Sequence, residues 1–347
     1  MNRKFLYEML QTESVSGGEI ALQKKIAAHM RAQGVTVSTD MTGDVIASIN
    51  EDSSFKVLLC GHADEIGFRV THITEEGYLQ VGKVGGVRLA LAQGKRVTVL
   101  GKKRLNGVMG LLLDKGEVKT GVEVTDLYID CGFTSREDAL RLVTPGDFVT
   151  YSCAVDELEN DCIAGRGLDN RLGAYTVMQA LLRAREKGAR IGVYAASTNG
   201  EETTMRGAYY AAGKVRPTIA VAVDVIHTSD FSGSLPQRFG KIDLGGGPVV
   251  CKSSYGNVAI GCALEAAAER LGIAVQYEIA PGVTGTDADK INQTGGGTPS
   301  NTFSIPLRYM HSPSEVCSLR DVDQTVEVLA EFLCALDESF DPDPFAE

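Results

Sequence analysis

Tryptophan is absent from this chain of 347 residues, which removes the side chain best suited to stacking on sugar rings and leaves eleven tyrosines as the substitute. No two cysteines have the CxxC spacing. The eight that occur, at 60, 131, 153, 162, 251, 262, 317 and 334, are scattered, several of them in apolar runs such as KVLLC and EFLCAL. They read as buried reduced thiols rather than as a disulfide framework or a sulfur-ligated zinc site. No basic run or stripe interrupts a formal charge of -11, from 45 acidic and 34 basic residues, and this excludes nucleic acid as a partner. The N-terminal stretch MNRKFLYEMLQTESVSGGE has no apolar signal core, and no uncharged apolar run is long enough to span a bilayer. The expectation is a soluble, cytoplasmic protein. Internal repeats and low-complexity linkers are lacking as well. Two glycine clusters, GGGP (245–248) and TGGGTPSN (294–301), lack the Gly-Lys-Ser/Thr ending of a phosphate loop and read as pocket walls.

What is present is enough apolar residue, 44%, to bury a large core in two domains. Helical spacing of apolar residues runs from residue 2 to Gly34, and VTVSTD and DVIASIN read as paired strands. KVLLC then leads straight into His62. From about 71 to 160 short β-type runs (YLQVGK, RVTVLG, NGVMGLLL, DLYIDC, GDFVTYS) are separated by glycine and charged turns, with one helix, SREDALRLV, behind an N-cap serine. After that, helices and strands alternate to the end of DVDQTVEVLAEFLCAL, and DESFDPDPFAE reads as a solvated tail. The fold class is therefore α/β, a central mixed β-sheet flanked by helices, with a small β-barrel or sandwich inserted. The expected domains are 1–70 with 161–347, and 71–160.

Five short stretches each supply a candidate metal ligand or acid/base group: GHADEIGF (61–68), RGLDNR (166–171), NGEET (199–203), AVDV (222–225) and RYMHSPSE (308–315). His62 and His311, with the carboxylates of Asp169, Glu202 and Asp224, make a nitrogen and oxygen donor set that suits zinc, cobalt or manganese better than calcium. His62 follows one strand, Glu201 and Glu202 follow VYAAST, Asp224 ends IAVAV and His311 follows TFSIPLRYM, so four strand ends converge on the rim where open α/β sheets keep their ligands. Asp64 can accept the far imidazole proton of His62, and Glu315 can orient the ring of His311. Asp169 opens a helix, where an N-cap is the plain explanation. Its two oxygens also suit a bridge between metals about 3.5–4 Å apart. Arg171 is expected to balance some of the negative charge there. Two adjacent ionised glutamates in one cleft need a compensating cation. Glu202 is read as a ligand, with Glu201 left as the base. His227 and Asp230 are candidate supports for Asp224, whereas His29 and His72 read as ordinary structural histidines.

Taken in order, GHADEIGF, GLDNRLG, GEE, AVDV, GTDAD and IPLRYMHSPSE resemble the tetrahedral aminopeptidase family, which includes the glutamyl aminopeptidases and chains labelled endoglucanase. The resemblance covers nearly the whole chain. It implies a zinc-peptidase-like fold and a co-catalytic pair of divalent metal ions. One ion would be held by His62 and Asp224, the other by Glu202 and His311, with Asp169 bridging and Glu201 as general base. It also implies that the 71–160 insert is a dimerisation domain, that dimers build twelve-subunit tetrahedral shells, and that the peptide after Asp169 is strained and cis. The chain departs from the family pattern at Gly200, before the paired glutamates, where Gln is usual, at Thr203-Thr204, where Val-Gly is usual, and at Asn170, where Asp is common. The expected function is a metal-dependent aminopeptidase that removes N-terminal residues from short peptides through a metal-activated bridging water. The alternatives are a di-metal deacylase of small N-acyl compounds and a non-catalytic metal-binding assembly protein.

Overall fold

In the computed structural model the residues described are 2–345, apart from Leu112, Lys115, Gly116, Lys119, Thr120, Gly233 and Leu235. The architecture is α/β, with a large mixed sheet flanked by helices and a separate closed barrel. At the heart of the large sheet four strands lie parallel in the order Gly192–Thr198, Lys56–His62, Ile219–His227 and Ser300–Arg308. Helices cover both of its faces, and accordingly the strand interiors VLLC, VYAA and IAVAV are unbroken apolar runs rather than alternating ones. Thr36–Thr39 and Val45–Ile49 extend the sheet on one side. On the other side it is continued by Glu315–Ser318, Cys162–Gly165 and Asp156–Leu158. Antiparallel pairing at both margins around a parallel centre leaves one rim at which all four central strands end.

The helix Leu168–Lys187 packs on the central strands through its buried face, including Leu172, Tyr175, Val177, Met178 and Leu181. Its first turn comes so near the strand Lys56–His62 that a Cβ on Gly61 would stand 2.4 Å from the Gly173 carbonyl carbon. Backbone cannot yield as a side-chain tip can. Gly61→Ala is therefore expected to destabilise the fold by about 1–3 kcal/mol, as overpacking of cores does, read as a fall in denaturant midpoint. An unchanged midpoint would show that the helix can lift off its strand freely.

The helical run expected from 2 to 34 is two helices, Arg3–Gln11 and Ile20–Ala32. Long-range pairing overrides the local spacing between them: the Glu65 amide donates to the Ser14 carbonyl, the Ser16 amide to the Glu65 carbonyl, and the Ser14 amide to Glu65 Oε1.

The barrel closes from six strands, in the order Leu127–Asp130, Leu79–Val84, Gly67–Ile73, Phe148–Tyr151, Arg96–Leu100 and Arg104–Leu111. Phe68, Leu79, Val97, Val99, Met109, Ile129 and Val149 fill its interior. Its strands thus run from Gly67, within the GHADEIGF stretch, to Tyr151, and Asp156–Leu158 already pairs with the large sheet. The helix Arg136–Leu140 is capped by Ser135, whose hydroxyl accepts from the Asp138 amide. All eight cysteines are free, but only Cys60, Cys251 and Cys317 are buried. Cys262 is exposed on the outer face of its helix. Among the described residues no helix is long and apolar enough to cross a membrane.

Candidate metal centre

His62 is the last residue of its strand and stands opposite Thr198 in the neighbouring one, so the loop bearing Glu201 and Glu202 starts at the same level of the rim. His311 follows the strand Ser300–Arg308 with φ +62°. Asp224 does not end its strand as expected. It lies within Ile219–His227, which continues beyond it by pairing through His227 with Leu307. Asp169 sits in a non-helical turn at the start of Leu168–Lys187, and the peptide joining it to Asn170 is cis.

These placements bring the side chains of all six candidates together. His62 Nε2 is 3.3 Å from Asp169 Oδ1, 3.6 Å from Glu201 Oε2 and 3.9 Å from Asp224 Oδ1. His311 Nε2 is 3.2 Å from Asp169 Oδ2 and 3.4 Å from Glu202 Oε1. Potential ligand atoms of His62, Asp169 and Asp224 lie within 4.8 Å of one another, as do those of Asp169, Glu202 and His311. Asp169 is common to both groups.

The electrostatics follow from crowding carboxylates in a dry cleft. Burial raises Asp224 well above the usual carboxylate range and pushes Glu201 up to about 10, with Asp224, Asp287 and Glu202 adding to the effect on Glu201 and His62 opposing it. Burial would lower His62, but Asp169, Asp64 and Glu201 outweigh it and raise the ring well above its ordinary value. For His311 burial again opposes, and Asp169 and Glu202 carry it to about 11. Asp169, although buried, is held low by the two imidazoles. Each ring thus faces more than one carboxylate across the cluster. Glu202 Oε1 is buried and lacks a hydrogen-bond partner. That oxygen has the His311 ring beside it at 3.4 Å without a well-formed hydrogen bond, and a buried carboxylate oxygen so placed among nitrogen and oxygen donors is the pattern that divalent metal ions fit.

The groups around the cluster differ in detail from the sequence expectation. Asp64 spans the amides of Glu201 and Glu202, which donate to Oδ1 and Oδ2 at 3.0 and 3.2 Å. Nδ1 of His62 is nearer the Asp64 carbonyl, at 3.0 Å, than its carboxylate, at 3.4 Å. Glu315 does not orient the His311 ring. It ties down main chain instead, accepting from the His311 amide at 2.8 Å and the Asp169 amide at 3.1 Å. Arg171 faces away from the cluster: it donates to the carbonyls of Gly167 and Thr12 and to Glu65, which it neutralises together with Arg166. Asp230 is engaged by Arg308 through two hydrogen bonds rather than supporting Asp224. His29 stacks on Phe5, with ring centroids 3.6 Å apart, the structural role expected of it.

Two buried acids were not singled out from the sequence. Asp44 Oδ1 accepts from the amide and the side chain of Asn199, and Asn199 Oδ1 accepts from Arg206, so these contacts anchor the start of the Glu201–Glu202 loop. Burial, with Asp40 beside it, pushes Asp44 up to about 8. Asp287, in GTDAD, accepts from Thr198 Oγ1 at 2.6 Å and is raised to about 6 by burial, against the opposing charge of His62. An aspartate opening a strand looks like a turn residue, and only the fold brings Asp44 beside Asn199.

A family profile described as M42 glutamyl aminopeptidase matches residues 43–328. The chain belongs to that family. Among its relatives is the lysyl aminopeptidase of Pyrococcus furiosus, 30% identical over 338 residues and covering 94% of each chain. A TET aminopeptidase from a marine sediment Thaumarchaeota archaeon superposes with a TM-score of 0.92 at 28% identity, covering 97% of this chain and 96% of the other. The TET1 peptidase of Pyrococcus horikoshii, which assembles into a tetrahedron or a large octahedral shell, gives 0.86 at 28% identity, covering 96% and 99%. As an M42 chain this protein is a peptide hydrolase of the aminopeptidase kind. Its histidine and carboxylate cluster supplies the candidate metal-binding groups.

Proposed function

We propose that the chain removes N-terminal residues from short peptides at a site holding two divalent metal ions, with zinc or cobalt favoured and manganese acceptable to the same donors. His62 and Asp224 would hold one, Glu202 and His311 the other, and Asp169 would serve both. The reading is carried by Asp169, whose two oxygens each lie within 3.3 Å of a different imidazole. When bound, such ions polarise a scissile carbonyl and lower the pKa of water toward neutrality. Glu201, buried at the same cleft, is the general base: it takes a proton from the attacking water and returns it to the leaving amine. Asp64 keeps Glu201 and Glu202 in place through their amides.

The deciding experiment pairs metal analysis with a panel of aminoacyl-anilides and N-acyl amino acids. Two ions per chain and hydrolysis of the anilides alone are expected, with activity lost on chelation and regained with zinc, cobalt or manganese. Cleavage restricted to N-acyl compounds would make the protein a deacylase. Asp169→Asn is expected to retain fewer than two ions after dialysis, because an amide offers one oxygen where a carboxylate offers two. Full tight occupancy in that variant would remove Asp169 from its shared role.

We further propose that the barrel is the dimerisation element and that dimers build a closed homo-oligomeric shell like those of the TET structures. Light scattering should then give twelve chain masses. A mass of one chain would exclude the assembly.

A further inference from the structure

The turn that follows the barrel strand Leu79–Val84 lies against two of the residues assigned above to a single metal position. A Cβ on Gly86 would stand 2.5 Å from His311 Nδ1 and 2.7 Å from its Cε1. One on Gly85, where φ is +76°, would stand 2.9 Å from Glu202 Oε2 and 2.8 Å from Ile66 Cγ2. These are distances at which something must move. The His311 ring is therefore confined from two directions, by Asp169 and Glu202 at Nε2 and by bare barrel backbone beside Nδ1. Glu315 fixes only its main chain, and the ring's 31% exposure leaves it free to swing outward once that backbone ceases to fit.

We propose that the Gly85–Gly86 turn of the inserted barrel positions the His311 imidazole and the Glu202 carboxylate, so that the metal position they form depends on how the barrel docks against the large sheet. This rests on the two-metal reading given above. The barrel becomes a working part of the site through contact, and the two glycines are positioning residues that touch no substrate. The His62–Asp224 position, to which neither glycine is adjacent in these contacts, retains its ion when the turn is altered.

The test compares the wild type with Gly86→Ala, with Gly82→Ala as a control in the preceding strand, where the added Cβ meets only Thr71 Cγ2 at 3.2 Å. His311→Ala serves as the reference for one lost position. Each is stripped of metal, titrated with cobalt and followed by its absorption spectrum and by metal content after dialysis. The wild type and Gly82→Ala should hold two ions. Gly86→Ala should hold one tightly, with affinity for the other reduced about 10–100-fold, the range seen when groups orienting a ligand are lost. Its spectrum should match that of His311→Ala, and the thermal midpoint of its metal-free form should stay at the wild-type value. Two ions bound with wild-type affinity in Gly86→Ala would overturn the proposal. So would equal loss of both ions with a lowered metal-free midpoint, which would mark a packing defect only. Failure of the wild type to bind metal would instead overturn the two-metal reading itself.

Discussion

Replacing Glu201 by glutamine is expected to lower kcat on aminoacyl-anilides by about 10²–10⁴-fold, the usual contribution of a positioned general base, while leaving metal content at the wild-type level. The substitution keeps size and hydrogen-bonding reach but removes the ability to take up and return a proton. It also leaves the anchoring of the loop intact, since Asp64 grips the amide of Glu201 and not its side chain. Side chains in the two ligand groups are those of His62, Asp169, Asp224, Glu202 and His311, without Glu201. Metal content is thus the measurement that separates base from ligand. A variant that turns over normally with full occupancy would show that another group moves the proton, and one that loses an ion would make Glu201 a ligand.

Glu65→Leu should produce the largest loss of stability, about 3–5 kcal/mol, because it leaves buried positive charge without a partner. Glu65 is 1% exposed and is clasped by Arg166 and Arg171, the latter wholly buried. Burial lowers the Arg171 guanidinium to about 10, and Glu65 opposes that shift. Loss of Glu65 also removes the acceptor of the Ser14 amide, so the segment between the first two helices should loosen with it. The pH dependence has a definite sign. Burial would raise Glu65, but Arg166 and Arg171 overcome it and hold the carboxyl below its ordinary value. Its contribution is therefore complete above the unfolded pKa of about 4.3 and is lost as pH falls through the lower folded value. Denaturant midpoints of wild type and variant across acidic pH would check this. The gap between them should narrow toward low pH, and a constant gap would remove Glu65 ionisation from the account.

The alternation of apolar helices and strands made the large sheet legible in the sequence, as did the barrel from its short glycine-separated runs. Motifs at strand ends located the cluster for the same reason: parallel strands buried on both faces are unbroken apolar runs, and polar side chains at their ends are conspicuous. What escaped was whatever depends on contacts distant in sequence. Glu65 looked like one more acid in GHADEIGF, yet it organises Ser14, Arg166 and Arg171 from three separate segments. Arg171 stands beside the cluster in sequence and turns its side chain elsewhere, because helix geometry and not adjacency sets its direction. Glu315 was correctly associated with His311 but grips its backbone, a distinction that residue type alone cannot convey. Asp44 and Asn199 lie 155 residues apart, and no local pattern links them.

The central strands are not made in the order in which they lie side by side. Lys56–His62 is synthesised first of the four yet needs Gly192–Thr198 on one side and Ile219–His227 on the other, and the strand leading to His311 is made last. A nascent polypeptide still attached to the ribosome at residue 300 holds most of the reactive groups and no finished cleft. The two groups of candidate ligands that share Asp169 are therefore completed only when the last of the four central strands has been made and has joined Ile219–His227.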